Sequence, residues 1–587
     1  MKYLIAMLLA LIIGCVGHPP ASPEAPPKTL TLIAMNDWHG ALYETPDPDQ
    51  EGWAYGGLPT FKAMMDEIRG KHGDVLLVDG GDSFQGAWPI NASKGKGAVE
   101  ALNLLGVDAA SVGNHEFDYG PSTENDHPLR GALLAAVKGA PFKWLAANVY
   151  EKTADGKRGP RWAPVGIQPW TMFKKGDVTV AVIGLSTQET PSTTRSTYVQ
   201  DLLFIDPVEA VKNILPEIKE QGPDVIVVTG HLTGSCSPPS YLEEEEGCTP
   251  DGEIGRLLTE LPRGTIDVIV AGHEHTVLRQ RVGDTFVLES RHKGHALTGV
   301  TLHITPEGVD PDQSVLHPIY RNHHPSISPG CFGGTYPTTP ISVGDSTLSP
   351  SDDAIRLLKD LENRAGSLCD VVGCAEAMYK TNREEESPLG RLVAKAMHAS
   401  MPEASIAVTN SGGLRANLPS GTILRKDVHD VMPFDNKLML VEISGEDLLT
   451  MLEIGTSGAH GMLQMVGLEV TLHPEKLRGR DLNQDGQVEN WEKTRLCKAT
   501  ANGKAISPRK SYSIVTSDFL LTGGDHLGPA FKNARILKDG PTLRESIQSY
   551  IKATTRSPGD NDSEFKCLVN PEKLNERSVR IEACKLP

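Results

Sequence analysis

Residues 111–120 read SVGNHEFDYG, so an amide, an imidazole and two carboxylates (Asn114, His115, Glu116 and Asp118) follow directly on a small apolar run. Residues of these types turn loops by bonding to nearby backbone. They also hold ions and move protons, and the surrounding chain decides between the two readings. Four further apolar runs, VLLV (75–78), VTVAVIGL (178–185), VIVV (225–228) and VIVA (268–271), are short, rich in β-branched residues and not alternating. Strands buried on both faces have that pattern. Helical stretches between them, such as Leu58–Arg69 and Val208–Lys219, predict an α/β layered domain.

The polar residues after these runs are not random in kind. VLLV leads to Asp82 in DGGDSFQG, VIVV to His231, VIVA to His273 and His275 in GHEH, and the opening LTLIAMNDWHG carries Asp37 and His39. Ligands of open α/β sheets bind outside the carboxyl ends of strands, so these residues are expected to converge on one edge. Asp37, His39, Asp82, Asn114, His231, His273 and His275 together form a nitrogen and oxygen donor set for two divalent cations. Singly, each has a bland role as a turn former or a hydrogen-bonded histidine. Five strand ends behaving alike point to a metal centre.

The chain has 587 residues, more than one core organises, with 39% hydrophobic and 22% charged residues, a composition of soluble globular domains. A net charge of −18 argues against a polymeric nucleic acid as partner, since that binding rests on Lys and Arg. No protein partner is inferred. The opening MKYLIAMLLALIIGC reads as an export signal, and LIIGC resembles a bacterial lipobox that would make Cys15 a lipid-bearing membrane anchor. The Pro-rich residues 16–27 suit a tether. Eight cysteines remain, an even number for an oxidising compartment, the periplasm or cell surface. Their spacings favour the pairs Cys236/Cys248, Cys369/Cys374 and Cys567/Cys584, leaving Cys331 with Cys497. The acidic run Glu243 to Glu246 reads as a solvated loop closed by the first of these pairs.

Near residue 349 the pattern changes. SPSD offers Ser349 as a helix cap, Pro350 at the first helical position and Asp352 closing a capping box, and AIRLLKDLENRAG then runs amphipathically to Gly366. We read it as a helix joining two domains, with boundaries at 28–345, 346–366 and 367–587. The second half has strands at LMLVEI (438–443) and SYSIVTSDF (511–519). It also holds DLNQDGQVENWE at 481–492, where Asp481, Asn483, Asp485, Glu489 and Glu492 fall at positions 1, 3, 5, 9 and 12 of an EF-hand-like loop. Gly486 takes the turn position and the Gln487 carbonyl the seventh-position ligand, which predicts a structural calcium.

The ordered motifs MNDWHG, DGGDSFQG, GNHEFDYG, VTGHLTG and AGHEHT resemble the signatures of the calcineurin-like metallophosphoesterases. NSGGLR (410–415), PFDN (433–436) and SDFLLTGGD (517–525) are similar to the C-terminal domain of 5′-nucleotidases. The resemblance spans about residues 30–545 and implies the bacterial 5′-nucleotidase, UDP-sugar hydrolase and 2′,3′-cyclic phosphodiesterase family. It implies a four-layer α/β/β/α sandwich joined by a helix to an α+β nucleotide-recognition domain. One metal would rest on Asp37, His39 and His275, the other on Asn114, His231 and His273, with Asp82 between them. Manganese, zinc, iron and cobalt all suit such donors. Two cations sharing a carboxylate polarise a phosphoryl group and generate a nucleophile from water at neutral pH.

By the same resemblance, His115 stabilises phosphoryl charge or protonates the leaving oxygen, Asp118 orients it, and Glu116 is structural or solvated rather than catalytic. Asn410, Gly412, Gly413, Arg415 and, by a looser match, Arg383 would meet phosphate or sugar. Phe434 and Phe519 would clasp a base, Asn436 shares the PFDN motif, and Asp525 would accept from a ribose hydroxyl. The expected activity is release of phosphate from nucleoside 5′-monophosphates, with UDP-sugars a possible further substrate class. Alternatives on the same scaffold are a 2′,3′-cyclic phosphodiesterase with 3′-nucleotidase activity and a thiosulfohydrolase. A non-catalytic surface-binding lipoprotein is the contrasting class.

Overall fold

A computed structural model describes residues 28–122, 129–236, 248–328, 336–337, 339–476, 478–555, 566–573 and 577–584. The export signal, Cys15, the tether, Cys331 and the run Glu243 to Glu246 lie outside the described residues. No helix among those residues is long and apolar enough to cross a membrane.

The apolar runs form two sheets. One orders Gly308–Leu316, Ala296–Thr305, Lys28–Met35, Leu76–Asp79, Ala109–Ser111, Lys143–Leu145 and Ile167–Gln168 side by side, with a short extra strand, Tyr320–Arg321, against Ala296–Thr305. The other orders Trp170–Lys175, Val178–Ser186, Val225–His231, Val268–Val270, Thr285–Ser290 and Val277–Val282. They face each other through one dry layer that includes Leu32, Leu76 and Val78 from the first and Val180, Val227 and Val268 from the second. Because alternate residues of a strand point to opposite faces, the other faces are equally apolar. Ile33 and Leu77 meet Phe61, Met65, Leu102 and Leu358 from helices. Ile183 and Val228 meet Ile214 and Ile218 of Pro207–Glu220 and Ile254 and Leu257 of Gly252–Glu260. The architecture is thus helix, sheet, sheet, helix, and the parallel pairings at its centre put the carboxyl ends of Lys28–Met35, Leu76–Asp79 and Ala109–Ser111 on one edge.

The second domain is built on the five-stranded sheet Leu463–Val466, Ile406–Asn410, Ser511–Ser517, Lys437–Ser444 and Arg535–Thr542. Helices Pro388–Ser400 and Leu543–Thr554 pack on one face and Gly445–Gly455 on the other. A smaller sheet carries Leu496–Ala501, Leu468–Leu472 and Val579–Ile581.

Two expectations need correction. The joining helix spans Asp352–Ala365, and its cap is Ser351, whose hydroxyl accepts from the Ala354 amide, not Ser349. The strand Ser346–Leu348 ends shortly before it, and Ser349 and Pro350 lie between the two, outside the helix. Ala354, Leu358 and Leu361 of this helix are buried in the helix layer of the first domain. Cysteine pairing also differs. Cys236 does bond Cys248, but Cys374 bonds Cys567 and Cys497 bonds Cys584, so neither Cys369/Cys374 nor Cys567/Cys584 nor Cys331/Cys497 forms. The cause is topological. Leu568 bridges Ala375 in parallel, which brings Cys567 beside Cys374 at a Cα separation of 4.8 Å despite 193 residues of intervening chain.

Candidate active site

The strand ends do converge. Asp37, His39 and His275 place donor atoms within 4.8 Å of one another, as do Asp37, Asp82 and His231, and His39, Asp82 and His115. Five of these side chains stand on left-handed backbone: Asp37 and His39 at φ 46°, Asp82 at 56°, His273 at 92° and His275 at 59°. Such conformations cost of order 1–3 kcal/mol each and persist only where the surroundings impose them. Here strand ends and glycine-rich turns impose them. At Gly113, one residue before Asn114, a Cβ would come within 2.2 Å of the Asp82 carboxylate, so only glycine lets the two loops touch.

Most of the donors are also held by neighbouring groups. His231 Nδ1 lies 3.1 Å from the Gly80 carbonyl, which fixes the proton there and leaves Nε2 facing Asp82 at 3.0 Å and His273 Nδ1 at 3.1 Å. His273 has Nε2 3.6 Å from Glu189. Burial resists charge on His273, yet Glu189 overcomes it and pushes the imidazole up to about 9. The Asn36 amide donates to Asp37 at 2.7 Å, and His275 Nε2 sits 3.2 Å from Asp37 Oδ1. Asn114 donates through Nδ2 to the Thr193 carbonyl, and its buried Oδ1 has no hydrogen-bond partner. An acceptor held dry and unpaired is what a cation ligand looks like without its ion, so the residues present fit two divalent metals.

Glu116 is fully buried rather than solvated. Its carboxylate accepts from the backbone amides of Asp82, Ser83, Phe84 and Gly113 at 2.7–3.0 Å, clamping the Asp82 loop to the Asn114 loop. Burial and the Asp82 charge raise it to about 7, against the pull of those amides. His115 gives Nδ1 to Asp118 Oδ2 at 2.5 Å, and Asp118 Oδ1 accepts from Thr194. Its Nε2 points to the donors, 3.9 Å from Asp82. Burial lowers the imidazole, but Asp118 and Asp82 together outweigh it and the net shift is upward.

The second domain supplies the opposite wall of a cleft of about 930 Å³, lined by Arg383, Asn410, Gly413, Arg415, Phe434, Asn436, Phe519 and Asp525. Arg415 reaches furthest, its Nη2 3.2 Å from His39 Nε2, and its carbonyl accepts from Lys293 of the first domain. Phe434 lies with its ring 5.8 Å from that of His115, whereas Phe519 packs over Gly524, where a Cβ would strike it at 2.5 Å. Asn410 donates to Asp525 at 2.7 Å, and burial raises Asp525 to about 6. Arg383 has no carboxylate in ion-pair range among the described residues, and its backbone carbonyl holds Ser411 and Met462. Asn436 accepts from Arg195, which also pairs with Asp518 across the interface.

Sequence reasoning passed over Glu189, Lys293, Arg195, His460, Trp491 and His526, all of them at or near the cleft. Asn36 alone carried a signal, standing inside the MNDWHG motif. In the loop 481–492 the acidic oxygens close on the loop's own amides: Asp481 accepts from Asp485 and Gly486, and Glu492 from Leu482, Asn483 and Glu489. No three of its carboxylates gather as closely as the catalytic donors do, among the described residues.

A metal-holding edge of a four-layer sandwich, with an oriented histidine beside it and a cationic wall opposite, defines a metal-dependent phosphoester hydrolase. The non-catalytic alternative does not survive. The chain belongs to the calcineurin-like phosphoesterases that carry a 5′-nucleotidase C-terminal domain: the profile of the first matches residues 30–277 and that of the second residues 366–533. A 5′-nucleotidase of Vibrio cholerae is 26% identical over 94% of this chain and 95% of its own length. Protein UshA of Escherichia coli is 25% identical over 90% and 91%. In fold, the chain is similar to the 5′-nucleotidase precursor of Thermus thermophilus, with a TM-score of 0.69 and 22% identity over 94% of this chain and 99% of that one. The sulfate thiohydrolase SoxB of the same genus has a TM-score of 0.67 at 15% identity, covering 97% and 99%.

Proposed function

We propose that this chain removes phosphate from nucleoside 5′-monophosphates, and that its cleft also takes UDP-sugars. The observation that carries this reading is the division of the cleft: metal donors and His115 on one wall, two phenylalanines, Asp525 and Arg415 on the other. Aromatic faces stack any base and so favour a nucleotide over the inorganic sulfur substrates of the SoxB scaffold. Asp37, His39 and His275 would hold one cation and Asn114, His231 and His273 the other, with Asp82 shared. When bound, the pair supplies Lewis-acid stabilisation of the phosphoryl group and acidifies water.

The protein groups do the rest. Arg415, and Arg383 beside it, neutralise phosphate oxygens with fixed donors. His115, its Nδ1 proton held by Asp118, carries a proton at Nε2 toward the leaving oxygen. Phe434, Phe519 and Asp525 fix the nucleoside, so that the phosphate rather than the base meets the metals. Lys293 and Arg195 keep the two walls in register. A panel of nucleoside 5′-monophosphates, UDP-glucose, 2′,3′-cyclic nucleotides and thiosulfate-bearing substrates, assayed with manganese, zinc, iron and cobalt, tests the reading. Fastest turnover on anything but a 5′-nucleotide or UDP-sugar overturns it.

Two further readings belong to this proposal. The disulfides fit an exported protein, and Cys15 anchors it to a membrane through lipid. Release of the Cys15→Ser variant from the membrane fraction is the expected result. The loop 481–492 takes a structural calcium with a Kd of roughly 10⁻⁴ to 10⁻³ M. Calcium titrated calorimetrically into wild type should give heat that an Asp481→Ala/Glu492→Gln variant loses, and equal heats would remove the ion from the account.

A further inference from the structure

One further group of donors gathers across the domain interface, and of its members only Glu189 touches the site above, through His273. Glu189 precedes the short helix Thr190–Thr193 of the first domain. His460 follows helix Gly445–Gly455, and His526 follows Asp525, both in the second domain. An oxygen of Glu189 and a ring nitrogen of each histidine lie within 4.8 Å of one another. We propose that Glu189, His460 and His526 form a third site for a divalent transition metal, one that bridges the two domains.

The donor set is two imidazoles and a carboxylate, a combination that zinc, cobalt and their neighbours prefer over calcium or magnesium. Imidazole must be neutral to bind a cation. Burial keeps it so here, pushing His460 down to about 3 and lowering His526 as well. The ligands are also held in place. The rings of His460 and His526 are 4.7 Å apart, and Trp491 stacks flat on His526 at 4.6 Å and 10°. The Trp491 indole N–H is itself anchored on Glu489 at 2.6 Å, and Ser192 lies 3.3 Å from His526 Nε2. Donors around a tetrahedral zinc stand roughly 3.3 Å apart, so small side-chain rotations close the set. With three protein ligands, a fourth position stays open to water. The Glu189 side chain is 37% exposed, so an ion can enter from solution.

An ion at this place ties the first domain to the second. Glu189 has two oxygens, and the one that faces His273 can stay there while the other takes the new ion. Domain motion that admits substrate would then need that ion to leave, so excess metal should slow turnover by fastening the cleft. The site is independent of which substrate the enzyme prefers, because counting metals requires no substrate.

The test is equilibrium dialysis of the full-length holoenzyme against cobalt or zinc, with bound metal counted by elemental analysis. Wild type should hold three equivalents per chain and a His460→Ala/His526→Ala variant two. Excess zinc should inhibit wild type and lose that effect in the variant, each compared with its own rate at limiting zinc. A wild type that stops at two, or equal counts in the two proteins, overturns the site. If the double variant fails to fold, the wild-type count and a His460→Gln variant still decide the matter.

Discussion

At the scale of single residues, His115 divides its ring between two partners, Nδ1 to Asp118 and Nε2 to the metal donors. Removing it should cost the proton and charge it manages while leaving the ligands whole. His115→Ala is expected to lower kcat by at least roughly 100-fold with both metals retained, measured by single-substrate kinetics beside metal analysis. Normal turnover would refute the assignment. Glu116 makes a different prediction, because its four amide contacts shape the loops and touch no substrate. In Glu116→Gln one oxygen becomes an amide that faces N–H groups. The loss should be about 1–3 kcal/mol of stability and roughly 10- to 100-fold in metal affinity, with kcat largely recovered at saturating metal. Unchanged metal affinity would mean the clamp does not position Asp82. The gathering of the seven proposed donors and of the His115–Asp118 pair was legible because each stands after an apolar run. Glu189 was not. It stands four residues after the run VTVAVIGL, in STQET, with no motif to mark it, and lies 84 positions from His273, so only folding brings the two together.

At the scale of elements, the strands were readable because burial on both faces writes continuous apolar runs, and Val178–Ser186 and Val225–His231 match theirs closely. The turns after them were not, since a left-handed backbone at Asp37, His39, Asp82, His273 and His275 leaves no mark that distinguishes these from ordinary Asp and His. The joining helix was visible as a helix but not as part of a wall. Its pattern of Ala354, Leu358 and Leu361 tells which face is apolar, not what covers it. That burial has a measurable consequence: Leu358→Ala, at a site 2% exposed, should destabilise the first domain by about 2–5 kcal/mol in denaturant titration. A change below 0.5 kcal/mol, the range of an exposed position, would mean that the helix swings free of the core.

At the scale of the molecule, pairing of cysteines was beyond sequence because proximity along the chain says little about a strand that returns after 193 residues to bridge Ala375. The same long-range geometry places the seven donors proposed for the catalytic metals before residue 276 and every proposed substrate contact after residue 382, so one site needs two bodies to meet. The Ser196 hydroxyl touches the Thr522 carbonyl across that seam at 2.6 Å. A cystine engineered there, Ser196→Cys with Thr522→Cys, should suppress turnover when oxidised and restore it on reduction, if opening admits substrate. Full activity in the oxidised form would show that the cleft works without parting. The seam also separates two kinds of inheritance. On the proposed reading the metal donors and His115 lie in one half and the base contacts in the other, so the choice of base can change without rewriting the metal edge. A graft of residues 367–587 from a relative should therefore carry that relative's appetite onto an unaltered engine.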